Sequence, residues 1–490
     1  MTRFLPGAAA FVAALLVALL GIYANADAPS RDRTAGPVPP GTVKLRLLGV
    51  NDFHGHLESP RPGIGGAAWL KAHLDRATLP GRTIRVHAGD MIGATPLISS
   101  WFHDEPTMEV GNELGFDVGT LGNHEFDEGG DELIRMLRGG QRTGPRAYRR
   151  EADGRLVNTS SARYPGAVYP YIAANTVDRQ HELRLPPYVV VRRAGVRVGF
   201  IGVTTLSTPK FLVGRYARRF RFTDISDAVN RWARVLRAQG VRTIVVLAHA
   251  GGPTQDESSA PDYTGEIVDE ARQMSSDVDV VIAGHSHSRL DIRVPNTDGS
   301  GDKLVVEALS YGIAYDLVDL TIDRATGEVV AKTGEVPETP HDIAGDPSVG
   351  SLVERYRRRV APVAMKVLGD TETALTRAGG ELGRLAADAE REYAGADAAV
   401  VDAGALRADI DPGPITYADV AEALAYGHPV MRARVTGREL SALAARGGYF
   451  SGPAEIDPER TYTLAASEMT MDRGRALGSE ADALAWYLQR

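Results

Sequence analysis

One theme recurs through the N-terminal part of this chain and constrains its fold more than any other feature. A short run of Val, Ile and Leu, about one strand long, stops abruptly in a polar turn rich in Gly, Asp, Asn and His. The runs are Leu45–Val50, Thr83–His87, Val118–Leu121, Val198–Val203, Thr243–Ala248 and Val278–Ala283. Apolar runs of that length, bounded by turn residues, read as strands buried on both faces. Amphipathic stretches separate several of them, among them Ala67–Ala77, Thr107–Leu114 and Ile225–Gln239. Strands alternating with helices predict an α/β core. Open α/β sheets bind ligands beyond the carboxyl ends of their strands, which is where these polar turns fall.

Composition narrows the chemistry. The chain has 490 residues and no cysteine, which excludes disulfide scaffolds, zinc ribbons, iron–sulfur clusters and thiol catalysis. A metal site here has to be built from His, Asp, Glu and Asn. The formal charge of -8 argues against binding a nucleic acid polymer through overall charge. Residues 1–26 read as a signal peptide: Arg3, an apolar run from Ala8 to Ile22, and an Ala24-Asn25-Ala26 cleavage pattern. Residues 27–42 read as a linker rich in Pro, Gly, Ser and charge. The expected location is therefore secreted, periplasmic or cell-envelope. Phe4–Ala24 carries no charge, so an uncleaved anchor is the one membrane insertion expected.

Five polar clusters follow the strand-like runs: Asn51-Asp52-Phe53-His54, Gly89-Asp90, Gly122-Asn123-His124-Glu125-Phe126-Asp127, Ala248-His249-Ala250 and Gly284-His285-Ser286-His287. Five of the 12 histidines lie in them. A single strand-end Asp is ordinarily a cap, and a single His an ordinary surface or core residue. Five such clusters, all at strand ends, point instead to a metal centre.

The order D-x-H, G-D, G-N-H-E, His, G-H-x-H resembles the calcineurin-like metallophosphoesterases. The strings NDFHGHL from Asn51, LGNHEFD from Leu121 and GHSH from Gly284 are similar to the secreted branch of 5′-nucleotidases and 2′,3′-cyclic-nucleotide phosphodiesterases. The resemblance implies a four-layer αββα sandwich over residues 43–345, a linker helix over 346–365, and a smaller α+β substrate-binding domain over 366–490. It also implies two divalent ions, Zn, Mn, Fe or Co. Asp52, His54 and His287 would hold the first, Asn123, His249 and His285 the second, with Asp90 bridging. Two cations roughly 3.5–4 Å apart need a shared anionic ligand, and they clamp the attacking and leaving oxygens of an in-line displacement. His124 would face the phosphate, with Asp127 orienting its ring and raising its pKa. His56 lies within the motif loop but is set aside as a ligand, His87 is expected in the core, and His73 and His103 on the surface.

The C-terminal part resembles the same family's specificity domain with weaker motifs. Asp402–Arg407 (DAGALR) and Ala425–His428 (AYGH) assign Arg407 and Tyr426 to the substrate, and Arg377 as a second arginine. An aromatic face suits any base and an arginine fork suits phosphate. Where the family offers a second aromatic, Ala465–Gly474 reads AASEMTMDRG with Met469 in that place, so a two-sided aromatic clamp is not expected unless Tyr449 or Phe450 supplies the second ring. The Arg-rich stretch Gly139–Pro170, with Arg142, Arg146, Arg149, Arg150 and Arg155, reads as a solvated surface insertion. The implied function is an exported phosphohydrolase releasing phosphate from nucleoside 5′-monophosphates. The alternatives are a 2′,3′-cyclic nucleotide or UDP-sugar substrate, and, in another class, a non-catalytic nucleotide-binding or adhesion protein that keeps the fold.

Overall fold

The computed structural model describes residues 39–151, 155–252 and 264–490. The leader and most of the linker expected at the N-terminus lie outside the described residues. Residues Val43–Arg490 form one compact unit.

Two six-stranded sheets build its N-terminal part. The first runs, in spatial order, Val329–Glu335, Asp316–Asp323, Thr42–Val50, Thr83–His87, Val118–Thr120 and Tyr171–Ile172. The second runs Arg289–Pro295, Asp302–Ala308, Val280–Ala283, Thr243–His249, Val196–Thr204 and Tyr188–Arg193. The central strands of each are parallel; antiparallel strands lie at both edges of the second sheet and at the Val329–Glu335 edge of the first, whose other edge strand, Tyr171–Ile172, is parallel. Leu45, Leu47, Ile84 and Val86 of the first sheet meet Phe200, Val245, Leu247 and Ile282 of the second in a dry core between them. On the outer faces, Leu48 and Val50 pack under helices that include Ala67–Ala77 and Glu105–Leu114, and Ile244 and Val246 pack under Ile225–Ala238 and Glu266–Gln273. This is the expected αββα sandwich. All seven residues of Thr243–His249 are buried. Both faces of a parallel strand are covered here, which is why its sequence is a continuous apolar run rather than an alternation.

The helix Pro347–Ala364 is capped by Asp346, whose side chain accepts from the Ser348 and Val349 backbone N–H groups. It buries Val349, Tyr356, Val360 and Val363 in the same outer core as Ala67–Ala77. It thus packs in the sandwich's helical layer, and it also meets the helix Tyr417–Ala423 of the C-terminal part. The C-terminal part has a five-stranded sheet ordered Tyr449–Ser451, Ala398–Val401, Thr461–Ser467, Pro429–Thr436 and Arg475–Ser479. Helices Glu381–Ala394 and Glu480–Leu488 pack together against it. Its helix Tyr417–Ala423 sits on the sandwich: Ala421 is buried in the outer core, and the Tyr417 ring lies edge-on to Trp101, 6.3 Å between centroids.

Three surface expectations need correction. His73 and His103 are buried, at 7 % and 5 % exposure. The His73 Nε2 lies 2.8 Å from the Pro340 carbonyl oxygen. His103 sits among Arg142, Thr159 and the Ala147 carbonyl. The Arg-rich insertion is not simply solvated, because Arg142 is buried and Arg146 reaches a carboxylate of the C-terminal part.

Candidate metal centre

The five motif loops leave the carboxyl ends of five strands, Thr42–Val50, Thr83–His87, Val118–Thr120, Thr243–His249 and Val280–Ala283. Parallel pairing brings those ends to one edge of the sandwich. The turns are tight. Asp52, His54, Asp90, His285 and His287 all take left-handed backbone conformations, with φ between 45° and 81°. Non-glycine residues rarely adopt that region, and such strain persists only where the surroundings enforce it.

The side chains converge. Asp52, His54 and His287 offer ligand atoms within 4.8 Å of one another, and so do Asp90, His249 and His285. Asp90 also groups with His54 and His124. The Asp90 carboxylate lies between the two sets: its Oδ2 is 3.6 Å from His54 Nε2 and 3.0 Å from His249 Nε2. The Asn123 Oδ1 is 3.1 Å from His249 Nε2. Nδ1 of His54 faces the Gly93 carbonyl at 2.8 Å, and Nδ1 of His249 the Ala88 carbonyl at 2.8 Å. With Nδ1 turned to a carbonyl, Nε2 of each ring is the atom that faces the carboxylates, and it is the atom a metal ligand would offer. Asp52 and Asp90 are buried, and Asp52 Oδ1 has no hydrogen-bond partner among the described residues. A buried anionic oxygen without a donor is costly unless a cation meets it. The donor set is oxygen and imidazole without sulfur, which fits hard-to-borderline divalent metals.

The electrostatics agree. Burial opposes ionisation of Asp90, yet its pKa is held well below the usual carboxylate range by His249 and His124. Burial opposes protonation of His249, but Asp90 outweighs it and pushes the imidazole up to about 10. The carboxylates thus demand positive charge beside them. His54 has less to lean on, and burial brings it down to about 3.

His124 stands at the edge of the cluster, its ring 5.1 Å from that of His54. Its Nδ1 pairs with Asp127 Oδ2 at 2.7 Å, and its backbone N–H donates to Asp90 Oδ1 at 2.9 Å. Burial works against its charge, but Asp127 and Asp90 raise its pKa to about 9. Burial also raises Asp127, which His124 offsets in part. From the C-terminal part, the Tyr426 ring stacks toward His124 at 5.7 Å and 25°, and Arg407 Nη1 donates to the Tyr426 hydroxyl at 3.3 Å. Arg377 is not brought here: its Nε donates to Asp409, and Tyr449 donates to its carbonyl oxygen. Phe450 is part-buried against the core around Leu440 and Tyr462.

Two braces escaped sequence reasoning. The buried Glu125 carboxylate accepts from the backbone N–H groups of Asp90, Met91 and Gly122 at 2.6–3.0 Å, tying two motif loops together. The buried Glu307 accepts from Ser286 Oγ at 2.8 Å and Ser288 N–H at 3.0 Å, holding the loop between His285 and His287. The only signal for Glu307 is a charged residue ending the apolar run of Asp302–Ala308, since its partners are far away in sequence.

Comparison with known proteins decides the family. The calcineurin-like phosphoesterase model matches residues 45–289. The chain belongs to this family. The 5′-nucleotidase C-terminal domain model matches residues 363–454. "Endonuclease YhcR" of Bacillus subtilis is 34% identical over 426 residues, 82% of this chain and 32% of that protein. "Cell wall protein Lmo0130" of Listeria monocytogenes is 32% identical over 447 residues, 81% of this chain and 54% of that protein. The chain therefore spans about a third and about half of these two relatives. A 5′-nucleotidase precursor from Thermus thermophilus has the same fold, with TM-score 0.70, 23% identity, and coverage of 91% of this chain and 96% of that one. The family is one of metal-dependent phosphoester hydrolases.

Proposed function

We propose that the protein is an exported phosphohydrolase with two divalent ions, and that it releases phosphate from nucleoside 5′-monophosphates. The observation that carries the reading is the convergence of six donor side chains around a seventh, the buried Asp90 carboxylate, with the His124–Asp127 pair beside them. Asp52, His54 and His287 would hold one ion, Asn123, His249 and His285 the other, and Asp90 both. When bound, such cations neutralise phosphoryl oxygens and lower the pKa of a water toward neutrality.

The chain's own residues do the rest. Asp127 occupies His124 Nδ1, which leaves Nε2 to carry a proton toward the substrate. Hydrolysis forms a bond from water oxygen to phosphorus and breaks the bond from phosphorus to the 5′-oxygen. His124, whose Nδ1 is paired with the Asp127 carboxylate, gives its proton to that leaving oxygen. Tyr426 presents a face to the leaving nucleoside, and Arg407 adds positive charge near the Tyr426 hydroxyl. Export rests on the leader-like residues 1–26 and on a relative named as a cell wall protein. N-terminal sequencing of the protein recovered outside the cytoplasm is expected to begin after Ala26.

A second reading, phosphodiester cleavage, is favoured by the relative named as an endonuclease. The deciding assay measures phosphate release from AMP against cleavage of 2′,3′-cyclic AMP, a UDP-sugar and single-stranded DNA, with and without chelator. Preferential, chelator-sensitive turnover of AMP is expected. Cleavage of diesters alone moves the protein to the second reading, and no turnover of any of the four refutes both.

A further inference from the structure

Glu468 occupies the segment in which the sequence lacks a second aromatic. Its exposure is 2 %. Both carboxylate oxygens lie 2.8 Å from Arg146 Nη2, and Arg215 forms a second ion pair with the same group. Both arginines come from the sandwich. They are linked by Tyr216, whose hydroxyl accepts from Arg146 at 3.1 Å and from Arg215 at 2.9 Å. Arg146 also lies 3.5 Å from Glu128, the residue after Asp127. A nearby pair, Arg218 with Asp472 at 3.3 Å, joins the same two parts of the chain.

On its own side, Glu468 is fixed to the loop that faces the metal centre. Its backbone N–H donates to the Pro429 carbonyl at 3.1 Å. Pro429 directly follows Tyr426-Gly427-His428, where Gly427 takes φ +63° and the two flanking rings lie parallel at 9°. A buried carboxylate gripped by two guanidinium groups is held firmly only while both partners stay, because an unpaired buried charge is costly.

We propose that Glu468 is a positioning residue: its paired bonds to Arg146 and Arg215 seat the Tyr426 loop over His124 and so hold the C-terminal part closed on the site. The inference rests on the reading of Tyr426 and Arg407 as the groups that hold the leaving nucleoside. Any movement of the C-terminal part away from the site then requires these ion pairs to part.

The test uses the full chain. Because it has no cysteine, Gln180→Cys and Ser441→Cys at two exposed positions accept spin labels without background. Glu468→Gln is expected to lengthen and broaden the distance between them, and Arg146→Ala with Arg215→Ala to do the same from the other side. Glu468→Asp, which keeps the charge, recovers the narrow distribution. In the metal-loaded enzyme, Glu468→Gln raises KM for AMP about tenfold while kcat stays within about twofold. A distance distribution unmoved by Glu468→Gln overturns the proposal, as does a loss in kcat with KM unchanged. Should the wild-type chain hydrolyse no nucleotide, the function proposed above fails, and the label distances alone judge the positioning role. A melting scan of each variant separates unfolding from opening, and the paired arginine variants stand in if Glu468→Gln does not fold.

Discussion

Gly122 is the residue whose replacement most cleanly separates the metal centre from the fold. A Cβ there would lie 2.0 Å from Asp90 Oδ1 and 2.5 Å from the Asp90 backbone nitrogen. The Asp90 carboxylate proposed to bridge the ions would have to leave its place, and the Asp90 backbone would have to shift with it. Gly122→Ala is expected to fold and to lose metal affinity, measured as metal retained after gel filtration. Asp127→Asn keeps the shape of the His124 pair but removes the charge that supports the imidazolium. Its kcat is expected to fall about a hundredfold, with metal content unchanged. At this scale the sequence was legible wherever the chemistry sits in a short string. Asp52 and His54, or Asn123 and His124, announce themselves because one turn carries both. Glu307 and Glu468 do not, because each acts on partners far along the chain, and the sequence holds no local trace of that meeting.

Elements were legible where both faces of a strand are covered or where a helix has one apolar stripe. Ala67–Ala77 and Thr83–His87 have the predicted bounds. The helix Pro347–Ala364 lies within the expected span 346–365, but an amphipathic pattern reveals an apolar face and not the surface that face covers. Tyr356 in that helix is 3 % exposed, and its ring lies 5.0 Å from that of Phe102. Tyr356→Ala is expected to cost about 3 kcal/mol in denaturant unfolding. A loss near zero would mean that the helix does not carry the outer core.

The helices Glu381–Ala394 and Glu480–Leu488 hold another feature invisible in sequence. Glu390 and Glu480 are each 1 % exposed, and both Glu390 oxygens lack a hydrogen-bond partner among the described residues. Burial pushes Glu480 up to about 8, with Asp402 adding to it, and burial with Glu480 pushes Glu390 well above the ordinary range. The folded state therefore favours the protonated acids. The stabilising effect of Glu480 is complete below the unfolded carboxylate pKa and is lost as pH rises through about 8. Glu480→Gln is expected to raise the melting temperature at pH 9 relative to wild type, with the advantage shrinking toward pH 5. An equal shift at both pH values would show that the acid is not held neutral.

At the scale of the whole molecule, the two-part architecture follows from a division of labour in charge. The sandwich gathers anionic and imidazole donors at one edge. The C-terminal part sets an aromatic ring against that edge and fastens itself with Glu468. The family resemblance conveyed the sandwich and the ligand loops. It did not convey how the Arg-rich insertion is used, because Arg146 finds its carboxylate 322 residues away. The central claim is that Asp90 is shared by two cations. Calorimetric titration of metal-free protein with Mn²⁺ tests it directly: two ions per chain are expected for wild type, and fewer than two for a folded Asp90→Asn variant. Failure of the wild type to bind any ion, or a stoichiometry of two that survives Asp90→Asn, would contradict it.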